Sequence, residues 1–210
     1  MPGRAAGKEA ARRIEALVRE FIKSIGEDPE REGLRDTPAR VARMWVEELA
    51  AGYGEDPWRY VKVFREGEGS GGLVVVRDIP VRSVCEHHLM PFFGYAHIAY
   101  VPNGAVLGFS KFARIVDVFA RRLQIQERLT REVADFLYEA LKPKGVMVVI
   151  DAIHTCALVR GVEEPMHLIT EEVRGCFRED PSLRREALNL MLSKGLLTTR
   201  FDYPHPRGGL

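Results

Sequence analysis

The sequence predicts an α+β fold built on an antiparallel sheet, and three observations lead to it. Two strand-like runs precede two helical runs, and two more strand-like runs follow, giving the order ββααββ. Strand pairs flanking a helix pair form an antiparallel sheet with helices on one face. Runs with apolar residues at helical spacing also stand before the first strand and after the last. The composition, 46% hydrophobic and 29% charged over 210 residues, suits one well-packed unit with a small helical appendage.

Taken in order, residues 5–25 read as an amphipathic helix, with Ile14, Leu17, Val18, Phe21, Ile22 and Ile25 on one face and Gly26 as its stop. Thr37-Pro38 opens a second helix as N-cap and first-turn residue, with Val41, Met44, Trp45 and Leu49 as its stripe. These helices suit packing on each other or on a neighbouring subunit. The glycine-rich 66–72, EGEGSGG, reads as a flexible joint. Strands are expected over 73–84 and 92–101, rich in β-branched and aromatic residues, with a turn at Asn103-Gly104. Ser110 is expected to cap the helix SKFARIVDVFARRL. After a break at 124–126 comes the helix ERLTREVADFLYEAL, ended by Pro143 and Gly145. GVMVVIDAIHTCALVRG and a weaker run near 166–178 supply the last strands. Asp180-Pro181 then starts a final helix facing inward through Leu183, Ala187, Leu190 and Met191, before an irregular tail. The organisation expected is a helical region over 1–65, a main domain carrying the ββααββ unit over 66–195 and a tail over 196–210.

Several function classes drop out. A net charge of +1 leaves no electrostatic footprint for nucleic acid or an anionic membrane. No apolar stretch reaches bilayer length, and MPGRAAGKEAARRIEAL lacks the apolar core of a signal peptide. Three cysteines do not suggest a disulfide framework, so a reducing cytoplasm is the expected home.

The chemistry concentrates in two places. SVCEHHLMPFF sets a thiol, a carboxylate and two imidazoles against an apolar run, an expensive grouping to bury without partners. In DAIHTCALVRG, strand alternation puts His154, Cys156 and Arg160 on one face with Val148, Ile150, Ala152 and Leu158. Cys85-x-x-His88 is a common zinc half-site, and Cys156 adds a third soft ligand. Three protein ligands leave a position open, as catalytic rather than structural zinc requires, and a water there has its pKa lowered to about 7. Neighbours in an extended segment point opposite ways, so His87 is not expected to bind with His88. His87 and His154 then read either as proton shuttles or as hydrogen-bonded supports for a ligand. His97, His167 and His205 lack such company, and Cys176 reads as a small buried hydrophobe.

Ser110 and Lys111 stand at a helix N-terminus with Arg114 one turn on, a setting suited to phosphates, and Arg160 can join them. The bland alternative is a simple cap among solvated cations. Gln126-Glu127 offers an amide and a carboxylate that match a guanine edge, or simply a helix surface.

CEHHLMPFFGYAHIAYVPNG, LGFSKFARIVDVFARRLQIQERLT and HTCALVRGV together closely resemble the GTP cyclohydrolase I family, from about Thr37 to Asp180. The resemblance implies the tunnelling fold, whose ββααββ units form a pentameric barrel, with two rings stacked into a homodecamer and active sites between subunits. It implies one Zn2+ per subunit on Cys85, His88 and Cys156, with acid–base work on His87 and His154. Glu127 would hold guanine with Gln126 beside it, and Ser110, Lys111, Arg114, Arg160 and Arg40 (with Arg43) would hold the triphosphate. The implied reaction hydrolyses GTP at C8, releases formate and forms 7,8-dihydroneopterin triphosphate. The chain departs from the family after RGV: EEPMHLITEEV replaces a Lys/Gly/Ser/Thr-rich stretch, and the tail after Met191 is longer. Three other functions compete with this one. A zinc nucleoside deaminase would need a Cys-x-x-Cys that the chain lacks. A structural zinc module would need a fourth ligand, and a cyclohydrolase with another end product stays open.

Overall fold

The structure, a computed structural model, describes residues 4–65 and 71–192. Most of the expected joint (66–70), the expected tail and His205 lie outside the described residues. Helix α1 (Arg4–Ser24) ends where Gly26 adopts φ +89 and the Glu27 amide reaches back 3.1 Å to Ile22 O, a Schellman stop. It packs on α2 (Thr37–Met44), yet of its apolar stripe Ile22 is buried while Leu17, Phe21 and Ile25 stay exposed. Thr37 and Pro38 are the first two residues of α2, and Asp36 holds the cap position without a side-chain bond. The expected cap is thus shifted by one residue. A π-helical turn and two 3₁₀ turns lead to β1 (Val63–Phe64).

The ββααββ order then appears as predicted: β2 (Val74–Cys85), β3 (Pro91–Val101), a short β4 (Val106–Leu107) paired to β1, α3 (Phe109–Ala120), a short β5 (Leu123–Gln124), α4 (Gln126–Leu141), β6 (Gly145–His154), a helical turn α5 (Thr155–Leu158) and β7 (His167–Gly175). A turn α6 (Cys176–Glu179) leads to α7 (Pro181–Leu192). The main sheet has the order β5-β2-β3-β6-β7, antiparallel except where β5 runs parallel to the end of β2.

Alternation along β6 builds two cores. Val146, Val148, Ile150 and Ala152 pack with Ile115, Leu129 and Leu137 of α3 and α4. Met147 and Val149 point the other way, onto Phe177, Ala187 and Met191. The last helix therefore covers the second face of the sheet, which corrects the expectation of helices on one face alone. Asp180 starts it as expected: Oδ1 accepts from the Ser182 and Leu183 amides at 2.9 and 3.1 Å. The EEPMHLITEEV segment enters β7, which pairs with β6 from His167 to Gly175.

Two features of the sheet carry predictions. At Gly94 a Cβ would stand 2.0 Å from Asp151 O and 2.6 Å from Ala152 Cα across the β3–β6 pairing. Gly94→Ala is expected to cost about 1–3 kcal/mol or more, read as a lower unfolding midpoint. On the other side of β3, the register slips between Val76 and Ile79 of β2, where Asp78 adopts φ +59 and donates its amide 3.2 Å to His97 Nδ1. Burial pulls the His97 pKa below 6.5, helped by Arg77 and opposed by Asp78 and Asp151. The unfolded chain then binds more protons than the folded one once pH falls through 6.5. Stability is intact above that pH and lost below it. The unfolding midpoint is expected to fall from pH 7.5 to 5.5, and less so in His97→Gln.

Candidate metal centre

Cys85 is the last residue of β2, buried, and the chain turns at once through Glu86–His88 before entering β3. The Cys85 amide donates 2.9 Å to Met90 O, and the Leu89 amide returns 2.9 Å to Cys85 O, with Leu89 at φ +55. Two ties hold this turn from outside. The Glu86 amide donates 3.0 Å to Gln124 O of β5, and the Glu86 carboxylate takes a hydrogen bond from Arg128 Nη2. Arg128 in turn donates 2.9 Å to Gln124 Oε1 and 3.0 Å to Leu123 O. The Arg128 guanidinium holds the Glu86 carboxyl below its ordinary range. Glu86 thus anchors the turn to α4, a role no local sequence pattern signals. Removing such an outer support typically costs 10–100-fold in metal affinity. Arg128→Met is expected to weaken zinc binding by about that factor, read by competition with a chromophoric chelator.

Because 86–88 is a turn rather than an extended segment, both imidazoles lie beside Cys85. His87 Nδ1 and His88 Nδ1 are each 3.9 Å from Cys85 Sγ. This overturns the argument that alternation keeps them apart. What separates them is Cys156: donor atoms of Cys85, His88 and Cys156 all lie within 4.8 Å of one another, and among the described residues no fourth His, Cys or carboxylate joins them. A tetrahedral zinc spaces such donors about 3.3–3.8 Å apart, so the 3.9 Å Cys85–His88 pair needs little adjustment. Burial pushes the Cys156 thiol up, Cys85 pushes it further, and Arg160 opposes both. A thiol whose ionisation is opposed by burial and by a second thiol beside it suits a shared cation. The donor set fits zinc and leaves room for an exogenous ligand.

Cys156 does not sit on a strand. β6 ends at His154, and the chain coils into α5, where Thr155 Oγ1 donates 2.6 Å to Pro91 O. The predicted shared strand face of His154, Cys156 and Arg160 is therefore corrected: Cys156 and Arg160 reach the site from the helical turn and the exposed bend after it. Gly161, at φ +75, follows. His154 stacks flat on Phe92, ring centroids 4.4 Å apart at 8°. Burial lowers its pKa, and nearby Glu127 partly offsets this. Its Nε2 lies 2.9 Å from Gln126 Oε1.

The remaining predicted residues divide into two groups. Glu127 is exposed on the first turn of α4, near His154. Gln126 is wholly buried, its amide engaged with Ile150 O, Leu168 O, Thr170 and His154. Ser110, Lys111 and Arg114 lie on the first turns of α3, which Gly108 rather than Ser110 caps, and without a side-chain bond. Phe112, beside them, packs on Tyr100, at the end of the sheet where β6 begins. From Ser110 to Ala120, the end near β5, the helix runs about 15 Å. One chain therefore does not gather these three with the metal donors. Arg114 lies over the Tyr60 ring, and Arg40 pairs with Asp36 on α2 at 3.2 Å. A cavity of about 570 Å³ opens by Phe93, Tyr95 and the Asp151–His167 pair and includes none of the three metal donors.

A profile of the GTP cyclohydrolase I family matches residues 14–192. GTP cyclohydrolase 1 of Thermoanaerobacter pseudethanolicus is 50% identical over 184 residues, covering 87% of this chain and 97% of that protein. The protein of that name from Clostridioides difficile is 50% identical, covering 87% and 96%, and that from Thermobifida fusca 49%, covering 87% and 88%. With the motifs, the ββααββ order and these matches in agreement, the chain belongs to the GTP cyclohydrolase I family.

Proposed function

We propose that this chain is a zinc-dependent GTP cyclohydrolase. It opens the guanine imidazole ring of GTP by hydrolysis, releases C8 as formate and forms 7,8-dihydroneopterin triphosphate. The observation that carries this is the convergence of Cys85, His88 and Cys156, with the His87 imidazole beside Cys85, in a chain of this family. Cys85, His88 and Cys156 hold the ion; when bound, zinc supplies a Lewis acid that makes water nucleophilic near neutral pH. His154 and His87 move protons at the base. The lowered pKa of His154 keeps it neutral and able to accept a proton near pH 7. Glu127 accepts the guanine N–H edge. Arg160, with Ser110, Lys111, Arg114 and Arg40, binds the triphosphate, whose binding energy holds the base in place.

Because α3 carries its cations away from the metal end, a second copy completes the site. The exposed stripe of α1 and the exposed apolar residues of β7, Leu168 and Ile169, support assembly through these surfaces, as rings of five stacked into a decamer. In this reading 66–195 is the catalytic unit and 1–65 an assembly element. The enzyme works in the cytoplasm, at the entry to folate-type pterin synthesis, consistent with no helix of the described residues being long and apolar enough to cross a membrane. The test is formate release from GTP by purified protein, with zinc supplied and after chelation. Zinc-dependent formate together with a fluorescent pterin after oxidation is expected. Formate without pterin would assign a different product, and no formate from zinc-loaded protein would overturn the reading.

A further inference from the structure

Gln126 opens α4 with no exposed surface, and both ends of its amide are engaged. Nε2 lies 3.0 Å from Ile150 O, 2.7 Å from Leu168 O and 3.2 Å from Thr170 Oγ1. Oε1 lies 2.9 Å from His154 Nε2. Backbone carbonyls only accept, so the amide has one orientation: turned over, it would set its own oxygen against two others. Thr170 fits the same order. Thr130 Oγ1 donates 2.8 Å to Gln126 O and stands 2.6 Å from Thr170 Oγ1. Thr170 can then give its hydrogen to Thr130 and accept from Gln126.

With the orientation fixed, Oε1 has no hydrogen to give, and the hydrogen in its contact with the ring must sit on His154 Nε2. A neutral imidazole carries one N–H, so Nδ1 keeps the lone pair. Turning the ring over would set a C–H against Oε1. The flat Phe92 face, 4.4 Å away, confines the ring to its plane.

We infer that Gln126 is a positioning residue: it fixes His154 as the Nε2–H tautomer and leaves Nδ1 as the lone-pair nitrogen of the ring. The Gln126 amide oxygen and the Phe92 face hold the ring in that state. The catalytic part of this inference rests on the proposed cyclohydrolase reaction, whereas the tautomer does not.

The experiment uses full-length, zinc-loaded protein with 15N-labelled histidine, and two variants. Gln126→Met removes the acceptor at similar size, and Gln126→Glu, kept protonated by the two carbonyls it faces, gives its hydroxyl hydrogen to one of them and keeps an acceptor oxygen toward His154. In nitrogen NMR, with His154 assigned through His154→Gln, wild type and Gln126→Glu are expected to show a protonated Nε2 and a bare Nδ1. Gln126→Met is expected to show a mixture. In formate release, Gln126→Met is expected to lose about 10²-fold or more in kcat, with KM and zinc content unchanged, and Gln126→Glu to recover most of it. A protonated Nδ1 in wild type overturns the inference. So does a rise in KM at constant kcat, which would return Gln126 to the substrate, and so do equal losses in both variants. Wild type without formate release would sink the cyclohydrolase reading and leave the NMR result to decide the tautomer.

Discussion

Cys156→Ala is expected to leave a folded protein that no longer holds zinc and has lost about 10³-fold or more in formate release. Cys156 lies half-buried on the four-residue turn α5, which is tied down by Thr155 rather than by the thiol, so removing sulfur does little to the fold. It removes one donor of three, and among the described residues no other His, Cys or carboxylate joins the group to replace it. A catalytic zinc is worth several kcal/mol in the transition state, and each 1.36 kcal/mol is tenfold in rate. Metal analysis and formate release on the same preparation check this. Chelation of the wild type should reproduce the loss, and added zinc should restore wild type but not Cys156→Ala. Full zinc content in the variant would remove Cys156 from the centre.

Phe92→Ala is expected to cost about 3–5 kcal/mol of stability and to slow the reaction as well. Phe92 has no exposed surface and lies in the core under α3 and α4. It is also the plane on which His154 rests, at 8°. The two roles separate in Phe92→Leu, which keeps apolar bulk and loses the flat face. That variant is expected to unfold near the wild-type midpoint yet turn over more slowly. Unchanged turnover in Phe92→Leu would show that the stack contributes only packing. Thermal unfolding and formate release on both variants decide the matter.

Periodicity in the sequence suffices for the ββααββ order, because each element carries its own pattern within a dozen residues, and the two donor segments stand out by residue type and Cys-x-x-His spacing. Other features depend on contacts that local pattern does not encode. Alternation runs on through HTCALVR, but the chain coils after His154 because Thr155 finds Pro91 O on β3. Ser110 looks like a cap, but Gly108 takes that place, its amide bound 3.0 Å away to Lys62 O. Gln126 reads as surface beside Glu127, and its partners stand 24 and 42 residues away in sequence. The stripe of α7 marks a buried side without saying which layer it buries against, and that layer proved to be the second face of the sheet. Arg128 gives no signal until α4 is laid against the turn that carries Glu86.

The sheet order β2-β3-β6 also sets when the centre can form. Cys85 and His88 emerge from the ribosome early and Cys156 much later, after both central helices, and β3 stands between their strands. Domains form as their sequence becomes available, so a nascent chain that stops before β6 offers two donors on an unanchored turn and holds metal loosely. Firm loading waits until β6 has joined β3 in register and α5 has folded over Pro91. In the proposed reading, zinc occupancy would thus come late in synthesis, and a chain that retained the ion would have its central strands paired correctly.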